Sequence, residues 1–197
     1  MSKAVLLTGF EPFGEFLVNS SWEASHLVGR QLATQVLARR LPVDYLPARA
    51  KLIQYLMRHK PVVCLCTGLG SAFAIERVAR KPAQFSAIQG SGLLEGAWPW
   101  PEMESHVRHA AGSVSISYDA GAYVCESTYW SLLAFRRQFG YPVYAAFLHV
   151  PPLSSDSTVE LIATVVRNVI QARLENTNAG APPGRPNPGS GPTRAAT

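Results

Sequence analysis

Charge is scarce in this chain. Only 16% of its 197 residues are Asp, Glu, Lys or Arg, against 47% hydrophobic residues and a mean hydropathy of +0.05. That balance excludes an intrinsically disordered chain and leaves room for one domain with a substantial core. The 18 Lys and Arg outnumber the 13 Asp and Glu, for a net charge of +5 and a pI of about 9.3. The basic residues are scattered, however. The densest groups, Arg39-Arg40 and residues 77–81, are too short for a nucleic-acid footprint. No stretch approaches the ~20 consecutive apolar residues of a membrane span. The apolar run after Lys3 is shorter than a signal-peptide core. No nucleic acid, no membrane and a cytoplasmic location are therefore expected. Cysteine is also sparse, at three residues, an odd number that excludes a disulfide framework. Cys64 and Cys66, in VVCLC, point to one face of a strand and lack the spacing and partner pair of a metal site. They read as core filler, not as a metal site.

The apolar periodicity alternates between short runs and helical spacings. Residues 3–8 read as a buried first strand ended by Gly9, followed by a loop carrying Phe10, Phe13, Phe16 and Asn19. Ser20 or Ser21 is the expected cap of a helix reaching about residue 38. Strands are expected at 43–46, 62–67, 75–79, 113–117 and 143–150, with helices at 51–59, 124–137 and 158–175. Between 81 and 112, prolines and glycines suggest irregular loops, with a hairpin among them. Residues 1–175 are expected to form a single domain. Residues 176–197, rich in Gly, Pro, Asn and Ala, read as a disordered tail. The alternation implies an α/β fold, a three-layer α/β/α sandwich around a twisted, mainly parallel sheet of the phosphorylase/hydrolase kind. In such sheets, sites gather beyond the carboxyl ends of strands. The loop 9–19, the Gly68-Leu69-Gly70 break and His149 all follow strands.

Cys125 falls at the start of the 124–137 helix, where unpaired N–H groups and the helix dipole favour an anion such as a thiolate. A cysteine hydrolase also needs an imidazole to carry the proton and a group to orient it. His149, at the end of the most apolar strand and before Pro151-Pro152, differs from His26, His59, His106 and His109, which lie in helical or polar surroundings. Glu76, in IERVA, is a candidate carboxylate.

Four blocks, LLTGFEPFG with NSSWEA, a Gly-rich turn with IERVA, AGAYVCESTYWSLL, and AAFLHVPPL, occur in an order that resembles the pyroglutamyl peptidase I (pyrrolidone-carboxylate peptidase) family. The resemblance implies Cys125 as nucleophile, His149 as general base and Glu76 as the acid orienting it. It places Phe10 and Phe13 beside the pyroglutamyl ring, with Asn19 as a polar contact; Phe16, on the same loop, is a further substrate-binding candidate. The implied activity is a cysteine omega-peptidase that releases N-terminal pyroglutamate from peptides through a thioacyl-enzyme, with no cofactor, assembled as a homotetramer. The physics agrees, since a lactam with apolar faces suits a greasy slot with a few placed hydrogen bonds.

Several features depart from the family. The turn before IERVA is short, Ser86 stands where an arginine is usual, and Glu126 replaces the asparagine after the nucleophile. A carboxylate beside a thiol opposes its ionisation unless it points away. Arg77 or Arg80 is the candidate substitute for the arginine. These departures support an alternative, a catalytically weak relative that binds pyroglutamyl or otherwise capped N-termini. A phosphorylase-like enzyme shares the broad fold but lacks motif support.

Overall fold

The computed structural model describes residues 4–178, and β1 (Val5–Phe10) is buried at every position. It shows no alternation, as expected of a strand covered on both faces. After the loop, α1 (Ser20–Gln31) is capped by Asn19, not by Ser20 or Ser21; the Asn19 side chain accepts the Ser21 N–H at 3.1 Å. The helix stops well short of residue 38. Val36–Leu41 instead forms β2, parallel to β1, where Val36 and Leu41 are buried. Ladder pairing and burial outweigh the helical spacing of Leu32 and Val36. The strand expected at 43–46 is absent, because α2 (Tyr45–His59) already starts there, with Asp44 at its N-cap position and no side-chain capping bond. Pro47 sits in the first turn of that helix, where its missing N–H costs no intrahelical bond. Ala48, Leu52 and Leu56 form its buried stripe.

The central run is β3 (Val63–Leu69). The strand expected at 75–79 is divided between β4 (Ala74–Glu76) and β5 (Val78–Arg80), which belong to different sheets. A short 3-10 turn, Ala83–Phe85, leads to β6 (Leu93–Glu95), which pairs antiparallel with β5. The region expected to be irregular then contains a helix, α3 (Trp100–Ala111), with Met103 and Val107 buried. Pro99 and Pro101 fall at its start, where proline is tolerated. The remaining elements are β7 (Ser115–Ser117), α4 (Val124–Phe139), β8 (Tyr144–Val150) and α5 (Val159–Asn178). The helix α5 therefore runs past the expected start of the tail, and residues 179–197 lie outside the described residues.

The main sheet has the order β2-β1-β3-β8-β4-β7, with only the β4–β8 pairing antiparallel. Alternate strand residues feed two cores. Val5, Leu7, Val63 and Leu65 meet Val28, Met103, Val107 and Ile162 from α1, α3 and α5. Leu6, Cys64, Cys66 and Phe147 meet Leu52, Leu56, Tyr129 and Trp130 from α2 and α4. This is the expected α/β/α sandwich. Cys64 and Cys66 are free thiols, fully buried on one face of β3. Each fully buried Leu or Phe contributes about 1.5–3 kcal/mol relative to exposure.

Candidate active site

His149 is the penultimate residue of β8, and Glu76 is the last of β4, the strand beside it. In the antiparallel register Glu76 opposes Phe147, so Glu76 and His149 are diagonal neighbours on one face, within reach for long side chains. His149 Nδ1 lies 2.7 Å from Glu76 Oε1. The histidine side chain is 12% exposed and the glutamate 2%. A buried carboxylate at Nδ1 makes that nitrogen the donor and leaves Nε2 as the proton acceptor. Ser20 Oγ donates to the Pro151 carbonyl at 2.6 Å and so pins the chain just past His149. The backbone carbonyl of Glu76 accepts Tyr129 Oη at 3.0 Å, tying the acid to α4.

Cys125 lies in the first turn of α4 and is partly exposed. The strand break expected at Gly68 is not there, since Gly68 and Leu69 continue β3 and pair with His149 and Val150; the neighbours of Cys125 explain the glycines instead. A Cβ built at Gly68 would meet Cys125 Sγ and Phe147 Cζ at 2.8 Å, and one at Gly70 would meet His149 Cβ at 2.9 Å. No side chain fits at either position, so the two glycines let the thiol and the imidazole approach the same strand. Burial pushes the Cys125 thiol up to about 12; the Glu76 carboxylate is the next cause, with Cys66 and Glu126 adding to it. The backbone N–H at the helix start acts in the opposite direction and is outweighed. The expected lowering of this thiol by its helix N-terminus is therefore not what the structure shows.

Cys125 and His149 line one cavity of about 600 Å³. Phe10, Phe13 and Asn19 line it too, on the side of the first loop. Phe16 is not among the lining residues; it packs on Phe13, with ring centroids 5.6 Å apart. Asn19 is almost fully buried, and its amide serves the fold. Oδ1 accepts from Ser21 N and Oγ, and Nδ2 donates to the Glu11 carbonyl at 3.0 Å. The rest of the wall was not foreseen: Val43, Asp44 and Tyr45 come from the β2–α2 connection, and Asp119, Ala120 and Gly121 precede α4. The usable signal was position, since the first group follows the carboxyl end of a parallel strand. Among the described residues no group of three or more His, Cys, Asp or Glu is placed to hold a metal ion.

A family model described as pyroglutamyl peptidase matches residues 3–89 and 96–182. The chain belongs to the pyroglutamyl peptidase family. It is 36% identical over 176 residues to a pyrrolidone-carboxylate peptidase of Pseudomonas fluorescens, covering 79% of this chain and 82% of the relative. It is 35% identical over 168 residues to the one from Gloeobacter violaceus, covering 76% and 82%. Among solved structures, pyrrolidone carboxyl peptidase from Thermococcus litoralis superposes with a TM-score of 0.77 at 25% identity, covering 92% of this chain and 97% of that one. A mutant form of the Pyrococcus furiosus protein gives 0.79 at 24% identity, covering 87% and 98%, a likeness of fold.

Against this pyroglutamyl peptidase background, the departures take a definite form. Glu126 is 6% exposed and points to neither Cys125 nor solvent: Oε2 accepts the Ala120 N–H at 3.0 Å, and Oε1 accepts the Arg80 N–H. Burial nevertheless raises its pKa, partly offset by those two donors. Ser86 is exposed after the 3-10 turn. Arg77 stacks 4.7 Å above Trp100 and pairs with Glu95, while Arg80 bonds the Tyr118 carbonyl and faces Asp119. Neither arginine lines the cavity.

Proposed function

We propose that this chain hydrolyses the N-terminal pyroglutamyl residue from peptides, with Cys125, His149 and Glu76 as its catalytic residues. The observation that carries the reading is the Glu76–His149 pair at 2.7 Å, with its histidine sharing a cavity with Cys125, Phe10 and Phe13. Cys125 Sγ attacks the pyroglutamyl carbonyl carbon while its proton passes to His149 Nε2. The C–N bond then breaks, His149 returns that proton to the leaving amine, and a thioester remains. Water attacks the thioester, giving its proton to His149 and then to the departing sulfur, and pyroglutamate leaves. With the thiol pushed up, His149 acts as a general base during attack, rather than as the partner of a standing thiolate. Glu76 stabilises the imidazolium that forms.

Phe10 and Phe13 supply apolar faces for the lactam ring, with Phe16 behind Phe13 and Asn19 holding the loop that carries them. An ordinary charged amine in this slot would be desolvated without a partner, which supports selection for the capped N-terminus. The reading includes one domain that extends through α5, a cytoplasmic location and a homotetramer. No helix among the described residues is long and apolar enough to cross a membrane.

The test is release of a fluorogenic amine from its pyroglutamyl amide by the intact protein and by Cys125→Ala. Turnover that disappears in the variant supports the peptidase. The high thiol pKa, with no arginine lining the cavity, favours a second reading, a weak relative that binds capped N-termini. A folded protein without turnover, but with a Tm raised by pyroglutamate, selects that reading.

A further inference from the structure

Glu76 and His149 sit on neighbouring strands, and one side chain of α4 reaches both strands. β4 is three residues long and Glu76 is its last, after which the chain leaves the main sheet for β5. The ladder that pairs Glu76 with Phe147 and Ser117 therefore stops at the acid itself. Tyr129 reinforces that end. It is fully buried, and its Oη donates to the Glu76 carbonyl at 3.0 Å. The space for the hydroxyl is kept by Gly96, where a Cβ would collide with Oη.

Tyr129 follows Cys125 by four residues, so the two side chains share one face of α4. The Tyr129 ring packs on Phe147, with centroids 5.7 Å apart. Phe147 opposes Glu76 across the β4–β8 pair and packs in turn on His149, with centroids 5.0 Å apart. The hydroxyl thus holds the strand of the acid, and the ring holds the neighbour of the base.

We infer that Tyr129 is a positioning residue for the reaction, fixing Glu76 and His149 relative to the helix that carries Cys125. This role rests on the peptidase reading. Glu76 supports the imidazolium of His149 as it forms, and that support requires the 2.7 Å Nδ1–Oε1 approach to be held while charge develops. Without the hydroxyl the ring still fills the core, but the Glu76 carbonyl loses this donor and the end of β4 can drift. Tyr129 does not line the cavity that holds Cys125, so substrate binding is left intact.

The experiment is steady-state hydrolysis of a pyroglutamyl amide by Tyr129→Phe, with Ser131→Ala as the control, well below the Tm of each. Ser131 Oγ is another buried hydroxyl of α4, but its partners, the Ser127 carbonyl and Arg49, belong to neither strand. Tyr129→Phe should lower kcat about tenfold at unchanged KM, within the ~10²-fold scale of an ångström-sized misplacement. Gly96→Ala, which displaces the hydroxyl with the tyrosine still in place, should show the same fall, and Ser131→Ala should keep the wild-type kcat. Wild-type kcat with a lowered Tm in either of the first two variants makes the hydroxyl purely structural and overturns the inference. An equal loss of kcat in Ser131→Ala, or a change confined to KM, overturns it as well. Should the intact protein turn over no substrate, the peptidase reading fails separately. The positioning is then read from the ¹⁵N shifts of the His149 imidazole, which should change in Tyr129→Phe and not in Ser131→Ala. An imidazole spectrum identical in Tyr129→Phe and wild type sinks it.

Discussion

The Cys125 thiol stands in a helix first turn, the place where thiols commonly lose their protons, yet its burial and the Glu76 carboxylate hold it up to about 12. The sequence shows the helix start but not the depth of the cavity or the buried carboxylate beside it, so the position alone suggested the wrong sign. Alkylation by iodoacetamide should accordingly fall on Cys125 before the fully buried Cys64 and Cys66. Its rate should keep climbing from pH 7 to pH 10, about tenfold per unit while the thiolate fraction is small. A plateau near pH 7, followed by mass spectrometry of the labelled peptide, would mean that the pair rests as thiolate and imidazolium. Gly70 gives a second residue-scale expectation. A Cβ there meets His149 Cβ at 2.9 Å and Cγ at 3.2 Å. Gly70→Ala should shift the imidazole and lower kcat by about 10²-fold, the scale of an ångström-sized misplacement. Near-wild-type kcat in a Gly70→Ala enzyme would show that the imidazole has room to give. From sequence this glycine was visible only as a strand break; its reason is the side chain that faces it.

Among the elements, those with continuous apolar runs, β1, β3 and β8, were legible because burial on both faces leaves no other reading. The boundary between α1 and β2 was not, since Leu32 and Val36 satisfy a helical spacing as well as a strand edge; pairing with β1 decides it. The helix α3 was hidden by Pro99 and Pro101, which punctuate loops and helix starts alike. In the same way the triad candidates were legible through their motif blocks, whereas the wall built by 119–121 depends on a long-range latch. That latch is Glu126, which joins the first turn of α4 to β5 and to the Ala120 amide. Glu126→Gln keeps the shape but offers one carbonyl to two N–H donors, and turns an NH₂ group toward the other. The wall should loosen, raising KM for a pyroglutamyl amide several-fold more than it lowers kcat. Removing the charge beside Cys125 should also speed its alkylation at a fixed pH, because that carboxylate opposes the thiolate. Unchanged KM with unchanged alkylation would leave Glu126 a packing residue only.

For the molecule as a whole, two buried acids and the partly exposed Cys125 hold their protons more tightly than in the unfolded chain. Burial pushes up Cys64, with Cys66 adding to it; burial and Glu76 push up Cys125; burial, then Cys66 and Glu76, push up Tyr129. All three act in the same sense on stability. Above the ordinary thiol value of 9.0 the unfolded chain releases the proton of Cys125, while the folded chain holds it until about 12. The native state then binds more protons than the unfolded state, so stability falls as pH rises through that window; Cys64 adds to the fall from the same thiol value, and Tyr129 from its ordinary value of 10.0 upward. Below pH 9 the contribution of these groups is flat. Urea unfolding under reducing conditions at pH 8, 9.5 and 10.5 should therefore show a falling midpoint with a near-constant m-value. Cys64→Ala removes one of the three groups, and it costs packing on β3 at every pH alike. Its loss between pH 9.5 and 10.5 should be shallower than that of the wild type. Parallel curves for the two proteins would mean that the alkaline weakening comes from groups other than this thiol.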